Sequence, residues 1–182
     1  MNSKDKIKIL YIGGSGRCGS TAMSLLLGEL PGFHDFGEIR YLWERGLREK
    51  KKCGCGSFVC ECGFWSSVIP DVKSKEMEYV TNFMTDKCKN IFRYRNFTKL
   101  LDPKKRQKTG LNDEYLSYLT ELYDSLSTAI NGGIIIDSSK LPGYAYVLSL
   151  LPNVELIYVH LVRDPRAVVF SWQRKKKYEP VS

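Results

Sequence analysis

The sequence predicts an α/β fold in which helices flank a central parallel β-sheet in three layers. Short apolar runs typical of buried strands alternate along the chain with longer segments of helical periodicity. Hydrophobic residues make up 43% of the 182 residues and charged residues 26%, a composition typical of a globular chain with a buried core. We therefore expect one α/β domain over residues 1–182, with ligands bound beyond the carboxyl ends of its strands.

The first strand is predicted at residues 7–12, where the β-branched and aromatic run IKILYI enters a glycine-rich turn. A helix follows, with Ser20 or Thr21 as its cap and Pro31 at its end. Leucines and a methionine cover most of its circumference, which predicts packing on several sides. A second helix is predicted at residues 38–47, where apolar residues recur at helical spacing.

The second half of the chain continues the alternation of helices and strands. Helical periodicity predicts helices at residues 75–101 and 112–130, with a loop between them. The runs IIID at residues 134–137 and ELIYVHLV at residues 155–162 predict two further strands, separated by a helix at residues 144–151. A last helix is predicted at residues 166–175.

The net charge of +8 predicts an anionic partner. No apolar run approaches the roughly 20 residues that span a bilayer, and the polar start of the chain does not resemble a secretory signal. We therefore expect a cytoplasmic protein without a membrane span, whose thiols stay reduced. Nucleic acid is not expected as the partner, because basic and aromatic residues do not interleave along a strand face.

A cysteine-rich loop is predicted at residues 53–62. Four of the six cysteines lie there, at Cys53, Cys55, Cys60 and Cys62, with glycines that allow tight turns. Such a cluster can bind zinc, but its two C-x-C pairs differ from the C-x-x-C spacing more common in structural zinc sites. We predict no metal there, and expect either reduced thiols that pack the loop or a redox-sensitive pair.

The first strand ends in a glycine-rich loop, GGSGRCGST at residues 13–21, that runs into a helix N-terminus. Free backbone N–H groups and the helix dipole bind phosphate at such a point, although glycine can also serve backbone geometry alone. Gly14 and Gly19 fit the nucleotide-hydrolase pattern G-x-x-x-x-G-K-[ST], but Ser20 stands in place of its lysine. Arg17 supplies the cation instead.

A second anion site is predicted where the strand at residues 155–162 ends. Arg163 leaves this strand and Ser171 lies two turns into the following helix, so a guanidinium and a hydroxyl can hold one phosphate. Phosphate sites at two strand ends predict a nucleotide that carries phosphates on both its 5' and its 3' side.

The loop GGSGRCGST, together with LVRDPRAVVFS at residues 161–171, resembles the sulfotransferases that use 3'-phosphoadenosine 5'-phosphosulfate (PAPS). The segment FGEIRYLWERG, the cysteine-rich loop and the pair Phe64-Trp65 resemble the bacterial-type branch of that family. The resemblance extends over residues 9–175 and implies a P-loop-like three-layer fold. It also implies transfer of a sulfuryl group from PAPS to a hydroxyl or amine of an unidentified acceptor, with no metal required.

The resemblance assigns roles to individual residues. Arg17 contacts the 5'-phosphosulfate, while Arg163 and Ser171 bind the 3'-phosphate. Glu38 matches the general base of the glutamate-using members, with a plain acid in a first helical turn as the alternative. Residues 137–140 stand where other members carry Lys-Thr-His, and the histidine is absent here. Lys140 is the candidate that stabilises the transferring group, with a simple helix cap as the alternative for this segment. The glycine-rich loop supplies the other implied cofactor contacts, at Gly16, Cys18, Gly19, Ser20 and Thr21.

Members of that family continue beyond the helix that carries Ser171 and close a basic loop over the nucleotide, so we expect a domain that is incomplete at its C-terminus. Two alternatives remain open. A P-loop-type nucleotide kinase or hydrolase would need a carboxylate for magnesium, and Asp137 at a strand end is the candidate. A catalytically inactive module would bind an anion through the basic surface with salt-sensitive affinity.

Overall fold

The computed structural model describes residues 6–173, and at its centre is a parallel four-stranded sheet with the order β2-β3-β1-β4. The strands are β1 (Ile7–Gly14), β2 (Phe33–Asp35), β3 (Ile134–Lys140) and β4 (Val154–Leu161). β1 pairs with β3 on one side and with β4 on the other, so that Ile9 lies beside both Ile135 and Leu156. The predicted α/β class with a parallel sheet is confirmed.

Seven α-helices in the described residues connect and cover the strands. They are α1 (Ser20–Gly28), α2 (Gly63–Val68), α3 (Lys75–Ile91), α4 (Phe97–Leu101), α5 (Asp113–Ala129), α6 (Pro142–Leu148) and α7 (Pro165–Gln173). Short 3-10 turns lie at Ile39–Tyr41, Val59–Glu61, Tyr94–Asn96 and Arg106–Thr109. Between residues 6 and 173, no helix has the length and apolar character needed to cross a membrane. The end of the helix predicted at residues 166–175 lies outside the described residues.

The core lies between the sheet and the helices packed against it. Ile7, Ile9 and Tyr11 alternate along β1 and share one face of that strand, as the period of two in a strand requires. They belong to one buried cluster with residues of α5 and α6, among them Leu119, Tyr123, Leu126, Val147 and Leu148.

α1 does not pack as the sequence predicts. Its buried residues are Ser20 and Ser24, whereas Leu25 and Leu26 are 59% and 70% exposed. A close approach to the sheet explains this difference, because a Cβ on Gly28 would lie 3.0 Å from the Cβ of Asp35 and small side chains fit that face. The predicted cap at Ser20 or Thr21 is also wrong, since the helix starts after Gly19 with no side-chain cap.

The second predicted helix is not an α-helix. A 3-10 turn at Ile39–Tyr41 runs into a π-helical segment at Leu42–Arg48, although its apolar residues are buried as their spacing predicts. The segment packs closely, because a Cβ on Gly46 would lie 3.2 Å from Val59 Cγ2. π-helical turns are rare and often occur at functional sites.

The helix predicted at residues 75–101 is two helices, α3 and α4. The side-chain amide of Asn96 donates a hydrogen bond of 2.8 Å to the Asn90 carbonyl, which satisfies a backbone acceptor at the end of α3.

In contrast, α5 closely matches the prediction. Its N-cap residue Asn112 accepts a hydrogen bond from the Tyr115 N–H at 3.2 Å.

Candidate functional site

The carboxyl ends of β1 and β3 and the loop after β4 border a cavity of about 850 Å³. The first turn of α1, the segment after β2 and helix α7 complete its walls. Parallel sheets bind ligands at this edge. The cavity brings together most of the predicted site residues, namely Gly16, Arg17, Gly19, Ser20, Thr21, Glu38, Lys140, Arg163 and Ser171.

The glycine-rich loop follows a backbone path that depends on glycine. A Cβ on Gly14, which has a φ of 151°, would lie 2.5 Å from the Leu161 carbonyl oxygen at the end of β4. Arg17 and Gly19 both lie in the left-handed region, at φ 67° and 100°. The loop therefore brings the first N–H groups of α1, which have no carbonyl partner within the helix, to the cavity wall.

Cys18 is the predicted cofactor residue whose side chain does not line the cavity. It is 6% exposed, and a Cβ on Gly14 would approach its Sγ to 3.0 Å. Its backbone N–H donates to the Ser15 carbonyl oxygen at 3.2 Å. Cys18 therefore packs beneath the loop, and its thiol does not face the cavity.

Trp172 is a cavity residue that the sequence reasoning missed. Its ring lies against the glycine-rich loop, because a Cβ on Gly16 would approach it to 2.9 Å. The guanidinium of Arg17 lies 5.4 Å from the ring centroid, within cation–π range. Only its position directly after Ser171 in the sequence could have suggested this role.

Glu38 and Lys140 form an ion pair at the cavity wall. The Lys140 ammonium contacts Glu38 Oε1 and also lies 3.3 Å from the Ser138 carbonyl oxygen. The Arg45 guanidinium lies 3.9 Å from the other carboxylate oxygen, Glu38 Oε2. The side chains of Glu38 and Lys140 are 31% and 20% exposed, so both can be reached from the cavity.

Three further residues after β2, Arg40, Tyr41 and Arg45, line the same wall. The two arginines were missed as site residues, because their segment was interpreted through its apolar spacing. The Tyr41 ring contacts two guanidinium groups, those of Arg40 at 4.0 Å and Arg45 at 3.6 Å from its centroid. The Arg40 N–H donates to Ser139 Oγ at 3.1 Å, which ties this segment to the end of β3.

The charge of the cavity is strongly positive. Its described lining contains one carboxylate, that of Glu38, and five cationic side chains, those of Arg17, Arg40, Arg45, Lys140 and Arg163. Cations lining a concave surface concentrate anions and favour their binding. The cavity is therefore suited to a ligand with several negative charges.

Asp137 does not line the cavity, although it lies on β3 near the site. Its carboxylate is fully buried and accepts hydrogen bonds from Tyr123 Oη at 2.7 Å, from the Ser139 N–H at 2.9 Å and from the Ser139 hydroxyl. Burial raises the pKa of Asp137 to about 6, an increase that these hydrogen bonds partly oppose. The carboxylate is thus an internal structural group.

Comparison with known proteins adds no assignment. No family model, no curated protein and no solved structure matches this chain.

Proposed function

We propose that this protein is a sulfotransferase that uses PAPS as its sulfuryl donor. The observation that carries the proposal is one cavity lined both by the glycine-rich loop with Arg17 and by Arg163 with Ser171. PAPS has a phosphosulfate on its 5' side and a phosphate on its 3' side. A ligand of that kind suits a cavity whose five cations outnumber its single carboxylate among the described lining residues.

In this proposal the 5'-phosphosulfate lies over the glycine-rich loop. Backbone N–H groups at the start of α1, the hydroxyls of Ser20 and Thr21 and the Arg17 guanidinium would bind it. The 3'-phosphate would lie between Arg163 and Ser171. Trp172, which packs against Gly16, would hold the loop in place beneath the donor.

The strand order supports a P-loop-like arrangement as part of the proposal. β2 and β3 lie on one side of β1, and β4 lies on the other. The direction in which successive strands are added therefore reverses at β1. Such a point of reversal opens a crevice beyond the carboxyl ends of the strands, where nucleotides bind in doubly wound sheets. The glycine-rich loop leaves β1 at this crevice.

The proposed reaction forms a bond between the acceptor oxygen or nitrogen and sulfur, and it breaks the bond between sulfur and the bridging oxygen. Adenosine 3',5'-bisphosphate leaves with the negative charge, which Arg17 stabilises. The Glu38 carboxylate takes the acceptor proton, and Lys140 stabilises charge on the transferring group. The ion pair between them holds the Glu38 carboxylate at the cavity wall.

A magnesium-dependent kinase or hydrolase is less well supported. Ser20 replaces the lysine of that class, and the Asp137 carboxylate is buried and held by Tyr123 and Ser139. Glu38, the carboxylate of the described lining, is paired with Lys140 and Arg45. An inactive anion-binding module would share the cavity and differ in the absence of turnover.

A cytoplasmic location belongs to the same proposal. The structure shows free thiols at all six cysteines, and free thiols are the usual state in reducing compartments. Thiol labelling in freshly lysed cells, after denaturation in the presence of a metal chelator, would test this location, with all six cysteines expected to be labelled.

A thermal-shift titration tests the proposed donor. We expect adenosine 3',5'-bisphosphate to raise the melting temperature without magnesium, and ATP with magnesium to raise it less. Arg17→Ala should abolish the increase, whereas Arg166→Ala should not. Arg166 is a matched control, because it is 92% exposed, pairs with Asp164 and does not line the cavity. A larger shift with ATP and magnesium would refute the proposal.

A further inference from the structure

Three thiols of the cysteine-rich loop converge on one point. Sγ of Cys62 lies 3.6 Å from Sγ of Cys55 and 3.8 Å from Sγ of Cys53. All three sulfur atoms lie within 4.8 Å of one another. This convergence involves residues that the proposed sulfuryl transfer does not use.

The spacing of the sulfur atoms matches a tetrahedral zinc site. Zn–S bonds of about 2.3 Å at the tetrahedral angle place neighbouring sulfur atoms about 3.8 Å apart. Two of the three sulfur pairs already have this separation, at 3.6 and 3.8 Å, and the third lies within 4.8 Å. A disulfide has an S–S bond of about 2.05 Å, so these sulfur atoms are not bonded to one another.

Backbone hydrogen bonds hold the three thiols in place. The Cys53 N–H donates to the Ser57 carbonyl at 2.8 Å, and the Gly56 N–H donates to the Cys53 carbonyl at 2.9 Å. Gly56 has a φ of 90°, which closes the turn that carries Cys53 and Cys55. Cys62 approaches from the start of α2. The loop's own hydrogen bonds and turn therefore position the three thiols close together.

Cys60, the fourth cysteine of the loop, is not in the cluster. It lines a separate cavity, with Leu47 and Phe58 among its neighbours. Cys62 is buried, Cys53 is half-buried and Cys55 is exposed, so the cluster is open to solvent on the Cys55 side. Solvent can therefore supply a fourth ligand.

We propose that Cys53, Cys55 and Cys62 bind one Zn²⁺ ion through three thiolates, with a water molecule as the fourth ligand. Binding deprotonates the three thiols and releases their protons to solvent, and no group changes oxidation state. This proposal replaces the prediction, made from the C-x-C spacing and the shortness of the loop, that the loop holds no metal. It does not depend on the sulfotransferase proposal.

The position of the loop suggests what the ion does. Val59, between the clustered cysteines, packs against Gly46 of the π-helical segment, and Cys62 belongs to the buried core. The segment before and within that π-helix supplies Tyr41 and Arg45 to the cavity wall. Zinc would therefore stabilise the cavity wall on the side that faces away from the cavity, without contact with the donor.

Metal analysis and cobalt titration test the proposal on the whole chain. Protein purified under reducing conditions with zinc in the medium should contain one equivalent of Zn²⁺ by elemental analysis. Metal-free protein titrated with Co²⁺ should develop thiolate-to-cobalt charge-transfer absorption in the near ultraviolet, and Zn²⁺ should abolish it. Zn²⁺ should also raise the melting temperature of the metal-free protein.

Two serine variants provide the contrast. Cys55→Ser removes an exposed ligand without disturbing the core and should weaken Co²⁺ and Zn²⁺ binding by about a hundredfold. Cys60→Ser, in the same loop, should bind both ions as the unchanged chain does. Circular dichroism verifies that both variants fold, and Cys53→Ser serves as a second ligand variant.

Three outcomes would overturn the proposal. Reduced, folded protein that binds neither Co²⁺ nor Zn²⁺ would show that the thiols only pack the loop. A disulfide in freshly purified protein, detected by mass spectrometry as the loss of two hydrogens, would assign the cluster a redox role. Equal loss of binding in Cys55→Ser and Cys60→Ser would contradict the three-thiolate ligand set.

Discussion

The guanidinium of Arg163 donates a hydrogen bond of 3.0 Å to the backbone carbonyl of Arg17, although the two residues lie 146 positions apart in the sequence. This bond joins the loop after β4 to the glycine-rich loop after β1. An arginine has five N–H donors, so one such bond leaves others for an anion. The two predicted phosphate sites are therefore mechanically connected parts of one cavity.

Replacement of Arg163 by lysine should separate charge from geometry. Lysine keeps the positive charge but lacks the planar fork that can bond the Arg17 carbonyl and a phosphate together. We expect Arg163→Lys to weaken the binding of adenosine 3',5'-bisphosphate about 10-fold, as measured by calorimetry. Arg166→Lys, in the same exposed segment, should leave the affinity unchanged. If Arg163→Lys also left the affinity unchanged, the positive charge at position 163 would be sufficient and the guanidinium geometry would not matter.

Replacement of Glu38 by glutamine should remove the proposed base without removing its volume. The release of adenosine 3',5'-bisphosphate from PAPS, in the presence of a mixture of phenols, sugars and amines, should fall about 100-fold or more. The affinity for adenosine 3',5'-bisphosphate should change little, because Glu38 does not contact the donor phosphates in the proposal. Glu49→Gln alters an exposed carboxylate paired with Lys51 and should retain full activity. Full activity of Glu38→Gln would remove Glu38 from the mechanism.

Gly19→Ala should destabilise the glycine-rich loop through backbone strain. Gly19 has a φ of 100°, and a Cβ there would meet no atom within 4 Å, so strain is the expected cost. We expect the free energy of unfolding to decrease by about 1–2 kcal/mol in urea denaturation. Gly54→Ala is the matched control, because its Cβ also meets nothing within 4 Å and its φ is not positive. Equal stability of both variants would contradict the left-handed loop.

Asp137 should make stability depend on pH. Its pKa is raised from 3.8 to about 6 in the folded protein, so between these values the folded chain keeps a proton that the unfolded chain releases. The stabilising contribution is fully present below about pH 3.8 and is lost as the pH rises through about 6.

Denaturation of the unchanged chain and of Asp137→Asn at several pH values measures this effect. From pH 4 to pH 7 the unchanged chain should lose about 2–3 kcal/mol relative to the variant, which cannot titrate at this position. The other titrating groups are the same in both proteins, so their contributions to the free energy of unfolding cancel in the difference. Parallel pH profiles would show that Asp137 has an ordinary pKa.

The strands β1, β3 and β4 could be predicted because each is an apolar run of sufficient length. β2, at Phe33–Asp35, was missed because it has three residues, two of them polar, and its strand geometry comes from pairing with β3. Local patterns carry no information on such pairing. Similarly, the leucines of α1 predicted burial, but its close approach to β2 selects Ser20 and Ser24 for the buried face.

Much of the candidate cavity could also be predicted, because parallel strands bring their carboxyl ends together wherever they lie in the sequence. The positions of Arg40 and Arg45 in the cavity could not be predicted. Both residues flank the apolar residues of a segment whose π-helical conformation depends on tertiary packing. The position of the Cys18 side chain could not be predicted either. Its place in a phosphate-binding pattern does not reveal that its thiol points beneath the loop.

The most direct test of the proposed function compares two nucleotides by isothermal titration calorimetry without magnesium. Adenosine 3',5'-bisphosphate should bind the unchanged chain about 10- to 100-fold more tightly than adenosine 5'-monophosphate, which lacks the 3'-phosphate. In Arg163→Ala this difference should largely disappear, and in Arg17→Ala both nucleotides should bind weakly. Equal affinity of the unchanged chain for the two nucleotides would contradict a site that holds a nucleotide by phosphates on both sides.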